Sequence, residues 1–267
     1  MTEANRKAWE AASRKYVREY DGLLAQAASG ALLNAVERDL LRDILDGSPE
    51  VVHLQSGHGL EDAALVQAGA KSVVGIDYSS TAARAAQQWA DELGLACRYI
   101  VGAVPGVPLA DGTADLVYTG KGALIWMPDL DAWAREAARL LRPGGHLLVY
   151  EGHPAVPLWT WDEDTPGIRA DRSYFARHHV NDTFPARGAT EWQSTLGQVV
   201  TAVITAGLEL LSLAEYPEPF WRPGGVNAAA WDGRLPNTYS LLARPPASQP
   251  GPPVARHSRP AGPIPAS

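Results

Sequence analysis

The feature that most constrains the fold is a repeat of short apolar runs separated by helical patterns. Val51-Val52-His53-Leu54, Ser72-Val73-Val74-Gly75-Ile76, Cys97 to Val101, Asp115-Leu116-Val117-Tyr118 and His146 to Tyr150 each have the length and apolar character of a buried strand. Helical patterns lie between them: Glu61 to Ala68, stopped by Gly69; Ala82 to Leu93, capped by Ser79 or Ser80 and stopped by Gly94; and Asp129 to Leu141, capped by Asp129 or Asp131 and stopped by Pro143-Gly144-Gly145. Parallel neighbours need crossover connections, and this alternation supplies them. The expectation is an α/β fold with a doubly wound parallel sheet.

The flanking segments read differently. From Asn5 to Gly47 the pattern is helical, with Trp9, Tyr16 and Tyr20 on one face, and residues 1–47 are expected to form an N-terminal helical lid, core packing explaining the face equally well. Residues 48–153 and 196–244 make the core, the second part contributing a helix at Leu196 to Ala206 and strands at Leu208 to Ala214 and Asn237 to Ala243. Residues 154–195 break the alternation and are expected to be an irregular cap insertion. Residues 245–267, rich in Pro, Ser, Ala and Gly, read as a disordered tail.

Hydrophobic residues make up 46% of the 267 residues and charged residues 20%, enough apolar matter for a sizeable interior. The formal charge of −7 gives an average field that repels polyanions, and no Lys/Arg cluster offsets it, so nucleic acid is not an expected partner. No run approaches the roughly 18 apolar residues of a membrane span, and no apolar segment follows the polar start; the expectation is a cytoplasmic chain with no membrane partner. Cys97 stands alone, which excludes an internal disulfide or a CxxC pair, and its apolar surroundings mark a structural thiol. No feature of the sequence specifies an oligomeric state.

In an open parallel sheet, ligands bind beyond the carboxyl ends of the strands. The turn His53-Leu54-Gln55-Ser56-Gly57-His58-Gly59 lies at such an end, and its glycines allow backbone amides to approach a ligand. A tight strand-to-helix turn is the plain alternative. Asp77 ends the second apolar run, where a carboxylate accepts hydrogen bonds from both ribose hydroxyls of a nucleoside; a helix cap is the alternative there. Turn and acid together favour nucleoside binding.

These elements, with Ala114-Asp115-Leu116-Val117-Tyr118 and Leu140-Leu141-Arg142-Pro143-Gly144-Gly145-His146-Leu147, resemble the class I S-adenosylmethionine-dependent methyltransferases from about Val51 to Tyr150. Within that family the turn is similar to an uncharacterised bacterial subgroup with His-Leu-Gln in the first strand. The resemblance implies a Rossmann-like seven-stranded sheet with its last strand antiparallel, S-adenosylmethionine as cofactor, and a small-molecule methyl acceptor. It also implies that Gln55, Ser56, Gly57 and Gly59 line the methionyl and ribose part, that Asp77 holds the ribose, and that Tyr78 flanks adenine, with Ala103 and Val104 nearby. Thr119 falls beside the reactive methyl, and the helix carrying Tyr16 lies over the cofactor. His53 replaces the family's usual acid and Gln55 its first glycine.

Lys121 follows the fourth strand and is a candidate for the substrate or for the methionyl carboxylate; a solvated loop lysine is the alternative. His153, after the fifth strand, has the ordinary pKa range of a base, with Glu151 to orient it or to act directly, or it is simply bonded in the turn before Pro154. In the cap, Trp159, Tyr174 and Trp192, with Trp161 and Phe175, are candidates for an apolar substrate wall, with simple packing of an irregular lobe as the alternative, and His178 is a further substrate candidate on the same loop. His178 and His179 fit no metal-ligand spacing, and no metal is expected. Methyl transfer is therefore the leading expectation. A nicotinamide-dependent oxidoreductase is disfavoured because Asp62 stands at the third glycine of a dinucleotide fingerprint; a non-catalytic cofactor-binding protein is the other alternative.

Overall fold

The computed structural model describes residues 3–30, 32–160, 167–181, 188–222 and 224–246. Three helices open the chain: α1 (Glu3–Arg18), α2 (Tyr20–Ser29) and α3 (Ala35–Asp46). The alternation follows as β1 (Glu50–Leu54), α4 (Leu60–Gln67), β2 (Ser72–Asp77), α5 (Ser80–Glu92), β3 (Cys97–Val101), β4 (Ala114–Gly120), α6 (Leu130–Leu140) and β5 (Leu141–Gly152). A hairpin of β6 (His178–Asn181) and β7 (Ala189–Trp192) precedes α7 (Leu196–Thr205), β8 (Glu209–Tyr216) and β9 (Thr238–Arg244).

The main sheet has seven strands in the order β3-β2-β1-β4-β5-β9-β8, and β9 runs antiparallel to both its neighbours. This is the Rossmann-like sheet with an inserted antiparallel last strand that the sequence led us to expect. Of the offered caps, Ser79 accepts from Ala82 N and Asp129 from Ala132 N, each satisfying an otherwise unpaired amide of the first turn.

Successive strand residues point to opposite faces, and each face is closed by helices. Val51, Val73, Leu116 and Leu148 pack with α1 to α5, whereas Val52, Ile76, Val117 and Leu147 pack with α6 and α7. Trp89 and Trp133 are fully buried, one on each side. Truncating either to alanine removes about 3–5 kcal/mol of stability. The N-terminal helices are thus mostly a core layer: Leu23, Ala27, Leu41 and Leu45 are buried in it, while α1 lays Trp9 and Tyr16 over the strand ends and α3 reaches them through Glu37.

Two local readings are corrected. The Pro143-Gly144-Gly145 stop belongs to β5, whose register with β4 jumps from Ala114 opposite Leu141 to Leu116 opposite His146. Arg142 there binds Glu50 and Asp115, clasping β5, β1 and β4 at the end of the sheet away from the glycine turn. The cap segment is not wholly irregular either, since β6 and β7 pair antiparallel from His178 opposite Trp192 to Asn181 opposite Ala189. Trp161 lies outside the described residues, as do residues 247–267 of the expected tail. Cys97 is buried, and burial pushes its thiol up to about 12.

Candidate functional site

β1 has β2 on one side and β4 on the other, so the strand order reverses between β1 and β4. Ligands of open α/β sheets bind at such a point. Here the turn after β1 faces the loop after β4 around a cavity of about 150 Å³, roofed by Trp9, Tyr16 and Trp126.

The glycine turn takes left-handed backbone at Gln55 (φ 60°), Gly57 (φ 56°) and Gly59 (φ 72°). Gln55 thus holds a backbone conformation that favours glycine. Its Nε2 donates to Ala123 O at 2.8 Å, tying the turn to the loop after β4. Gly57 lines the cavity, while Gly59 is needed for packing, because a Cβ there would meet the Tyr99 hydroxyl at 2.2 Å. His53 and Asp62 form a buried pair, Nδ1 to Oδ1 at 2.6 Å, which places a carboxylate behind the turn even though the strand itself carries a histidine.

Asp77 is buried at the cavity wall. Its Oδ1 accepts from Ser79 N (2.7 Å) and from the Trp9 indole (3.1 Å), and its Oδ2 from Gly57 N (3.0 Å). Burial outweighs these donors and pushes the carboxyl up to about 6. Of the three donors, only the indole comes from outside the β1–α5 segment. Tyr78 and Ser56 also line the cavity. The Ser56 hydroxyl, the Tyr78 hydroxyl and Gln55 Oε1 are buried without a hydrogen-bond partner among the described residues, an arrangement that costs free energy unless a ligand completes it.

Lys121 sits on this same wall and not on the acceptor side. Its ammonium pairs with Glu37 (3.1 Å) and Glu61 (3.3 Å) and donates to Leu32 O, with Tyr118 bonded to the same Glu37. Burial works against its charge, but the two carboxylates prevail and raise its pKa. Its donors are committed to the chain. Thr119 is likewise occupied, its hydroxyl donating to Leu54 O between β4 and β1, and it does not line the cavity. Ala103 is exposed and Val104 packs in the core beside Val52 and Ile76, so neither borders the cavity. Tyr16 does, stacked on His58 at 4.2 Å.

A second cavity, about 200 Å³, lies across the loop after β4, with Gly122 lining both. Ile125, Val199, Trp192, Phe220 and Tyr239 give it an apolar wall. Glu151, at 2% exposure, accepts from four amides: Ala123 N and Leu124 N at Oε1, and Gly122 N and Gly152 N at Oε2, between 2.6 and 3.1 Å. Burial still raises its pKa. A carboxylate offers about four acceptor positions, so this one is filled, by three amides of the loop that separates the two cavities and by one of β5.

His153 borders the second cavity with both nitrogens engaged. Nδ1 accepts from Ala155 N at 3.1 Å, and Nε2 is 2.8 Å from Glu215. Burial lowers its pKa against the pull of Glu215.

The cap candidates separate. Trp192 lines the second cavity; Trp159 lines an outer groove of about 570 Å³ that shares Val156, Pro157, His179 and Glu191 with it. The Tyr174 hydroxyl accepts from Leu196 N at the start of α7 and borders neither space. His178 is exposed, and its neighbour His179 faces the cavities instead, because successive residues of a strand alternate sides. His179 and Glu191 were missed as site residues; recognising the hairpin would have shown the alternation. Phe220 and Tyr239, also missed, arrive from segments far along the chain. Among the described residues there is no group of three or more His, Cys, Asp or Glu that could hold a metal, and no helix long and apolar enough to cross a membrane.

Comparison with known proteins bears on the fold and the domain. Residues 52–149 match the family described as "Methyltransferase domain". The chain is 26% identical over 180 residues to malonyl-[acyl-carrier protein] O-methyltransferase 1 of Coxiella burnetii, covering 67% of this chain and 58% of that one. It is 33% identical over 131 residues to demethylmenaquinone methyltransferase of Corynebacterium kroppenstedtii, covering 48% and 54%. The chain thus spans a little over half the length of these relatives. A solved S-adenosylmethionine-dependent methyltransferase from Mesorhizobium loti shares the fold, with a TM-score of 0.63, 24% identity, and coverage of 79% of this chain and 98% of that one. Residues 52–149 thus match a methyltransferase domain, and the strand order is that of a fold shared with solved S-adenosylmethionine-dependent methyltransferases.

Proposed function

We propose that the protein transfers a methyl group from S-adenosylmethionine to a small, largely apolar acceptor. The observation that carries this reading is the pair of cavities meeting at Gly122, one with unsatisfied polar atoms at the strand ends and one with an apolar wall. In the first, Ser56, Gln55 and Gly57 face the methionyl and ribose portions, Asp77 accepts from the ribose, and Tyr78 flanks the base. The cofactor supplies an electrophilic methyl on a positively charged sulfur. The protein's part is to align the acceptor in line with it and keep water out.

The first cavity is smaller than the roughly 300–1,000 Å³ usual for ligand sites. Cofactor entry therefore involves α1, whose Trp9 and Tyr16 form the roof and whose Glu10 bonds Ser79 and Thr81 at the start of α5. Asn5 of α1 exchanges two hydrogen bonds with Thr190 of β7, so movement of this lid is felt by the acceptor side. Glu151 and His153 act here as positioning residues that fix the loop between the cavities and the floor of the second.

The oxidoreductase alternative is weakened by Asp62, a carboxylate fully buried against His53 where a pyrophosphate approaches the fingerprint turn. The two curated relatives are named for malonyl-[acyl-carrier protein] and demethylmenaquinone, and the apolar wall fits an acceptor of the second kind more readily. Calorimetry with S-adenosylmethionine, S-adenosylhomocysteine and NAD tests the reading: both adenosyl compounds bind and NAD does not. If neither adenosyl compound binds, the proposal fails. If they bind but a mass-spectrometric screen of acceptors finds no added methyl group, the chain is a binding protein that kept the fold.

A further inference from the structure

Two imidazole–carboxylate pairs border the acceptor cavity, and they differ in what they leave available. His153 has no lone pair to offer, since Ala155 N donates to Nδ1 and Nε2 faces Glu215. His179 Nε2 lies 2.7 Å from Glu191 Oε2, and its Nδ1 makes no hydrogen bond with any described residue. Glu191 stands opposite His179 in the hairpin register and is itself held by Asn181, whose Nδ2 donates to Oε1 at 2.6 Å. His179 and Glu191 line both the apolar cavity and the outer groove.

We propose that His179 is the general base of methyl transfer to a hydroxyl carried on an apolar ring system, with Glu191 as its positioning residue. The proposal rests on the methyltransferase reading above. A carboxylate at Nε2 selects the tautomer with the proton on Nε2, leaves a basic lone pair on Nδ1, and stabilises the imidazolium once it forms. The acceptor oxygen forms a bond to the methyl carbon as the carbon–sulfur bond breaks. That electron pair goes to sulfur, leaving a neutral thioether, and the hydroxyl proton goes to Nδ1 of His179.

The surroundings define the acceptor. Ile125, Val199, Phe220 and Tyr239 receive its apolar body. Among the described residues, the charged and titratable groups that line these spaces with His179 are Glu191 across the hairpin, Arg169, Asp171 and Arg172 in the groove, Glu151 and His153 from β5 and the turn after it, and Tyr239 of β9. Arg169 and Arg172 both bind Asp171, and Glu151 is filled by four amides. His153 is bound at both nitrogens, which leaves His179 as the available base of this set. The pull of its partners appears on Glu191, whose pKa burial would raise but whose bonds to His179 and Asn181 lower it.

The first test needs no cofactor. Long-range proton–nitrogen correlation spectra of the ligand-free chain, labelled at histidine and recorded in mildly alkaline buffer, should show His179 protonated at Nε2. Protonation at Nδ1 overturns the proposal. The second test uses 1-naphthol as probe acceptor, with transfer from S-adenosylmethionine followed by mass spectrometry. His179→Gln should lower kcat about 100-fold near neutral pH, with the calorimetric affinity for S-adenosylmethionine unchanged. The deficit should shrink in alkaline buffer, where the probe ionises without help. An equal loss at every pH, or no loss, overturns the base role. Wild-type chain that binds S-adenosylmethionine but leaves 1-naphthol unmethylated overturns the hydroxyl acceptor. Chain that binds no S-adenosylmethionine sinks the methyltransferase reading instead, a failure the calorimetry identifies by itself.

Discussion

The two cavities on either side of Gly122 are built by different rules. The cofactor side draws on the loops that end β1, β2 and β4, neighbours in the sheet, at 55–58, 77–78 and 120–123, with α1 laid over them. The acceptor side gathers Ile125, His153, Glu191, Val199, Phe220 and Tyr239 from segments spread over more than a hundred residues. On the first side chemistry follows from chain topology, because strand ends of a parallel sheet must converge at the reversal point. On the second it follows from the packing of a hairpin and loops whose contacts no local pattern encodes. Polar side chains at the boundary between the two are committed to structure, and that is where the comparison breaks most easily.

Glu151 is the sharpest case. Replacing it by alanine leaves four amides of the dividing loop and β5 without an acceptor. With each buried unpaired group costing about 1–3 kcal/mol, Glu151→Ala should lose about 4 kcal/mol in a denaturant titration and mix the properties of the two cavities. Wild-type stability with loss of turnover alone would return Glu151 to the chemistry, and the boundary described above would have to be redrawn.

Asp77 tests the cofactor side. Asp77→Ala should weaken S-adenosylmethionine binding by about 1–3 kcal/mol, the worth of hydrogen bonds to a charged group. Its pH dependence is more specific. The carboxyl rises from 3.8 to about 6 on folding, chiefly through burial. Below 3.8 it is neutral in both states; as pH climbs from 3.8 to about 6 the unfolded chain ionises first, so this residue's contribution to stability is lost across that window. Comparing wild type with Asp77→Asn isolates the effect from carboxylates of opposite sign such as Glu61, which burial opposes but Lys121 and the nearby histidines lower to about 2. Wild-type melting temperature should fall relative to the variant over the window. Cofactor affinity should rise over the same window in wild type only, because the ionised form accepts from the ribose. A flat affinity in both proteins would show Asp77 to be a cap for Ser79.

The same contrast explains what could be read from the residues alone. The sheet was legible because each strand is a short apolar run closed by a glycine or a cap, and because Asp115 and the Leu140 to Leu147 segment resemble a known family. Yet the clearest of those signals, Arg142, clasps Glu50 and Asp115 at the end of the sheet remote from the site. Family likeness thus reports scaffold more directly than chemistry. Lys121 and Thr119 reached the expected neighbourhood, but their hydrogen bonds go to Glu37, Glu61, Leu32 and Leu54, partners chosen by tertiary packing. In the cap, His178 was singled out in place of His179 because side choice in a strand depends on register, and the register depends on a hairpin that breaks the helix–strand alternation.

Gln55 carries the smallest expected effect and separates strain from contact. It holds φ at 60°, where a residue with a Cβ is disfavoured by about 1–2 kcal/mol. Its amide bond to Ala123 O spans the turn and the dividing loop and is worth about 1 kcal/mol. Gln55→Ala keeps the strain and loses the bond, so it should destabilise by about 1 kcal/mol; Gln55→Gly relieves the strain as well and should fall within about 0.5 kcal/mol of wild type. Gln55 Oε1 is also buried without a partner among the described residues. If that oxygen receives a donor from the methionyl end of the cofactor, both variants should lose a similar fraction of cofactor affinity despite their different stabilities. Affinity that tracks stability instead would assign Gln55 to the fold alone and leave Ser56 and Asp77 as the polar contacts of that cavity.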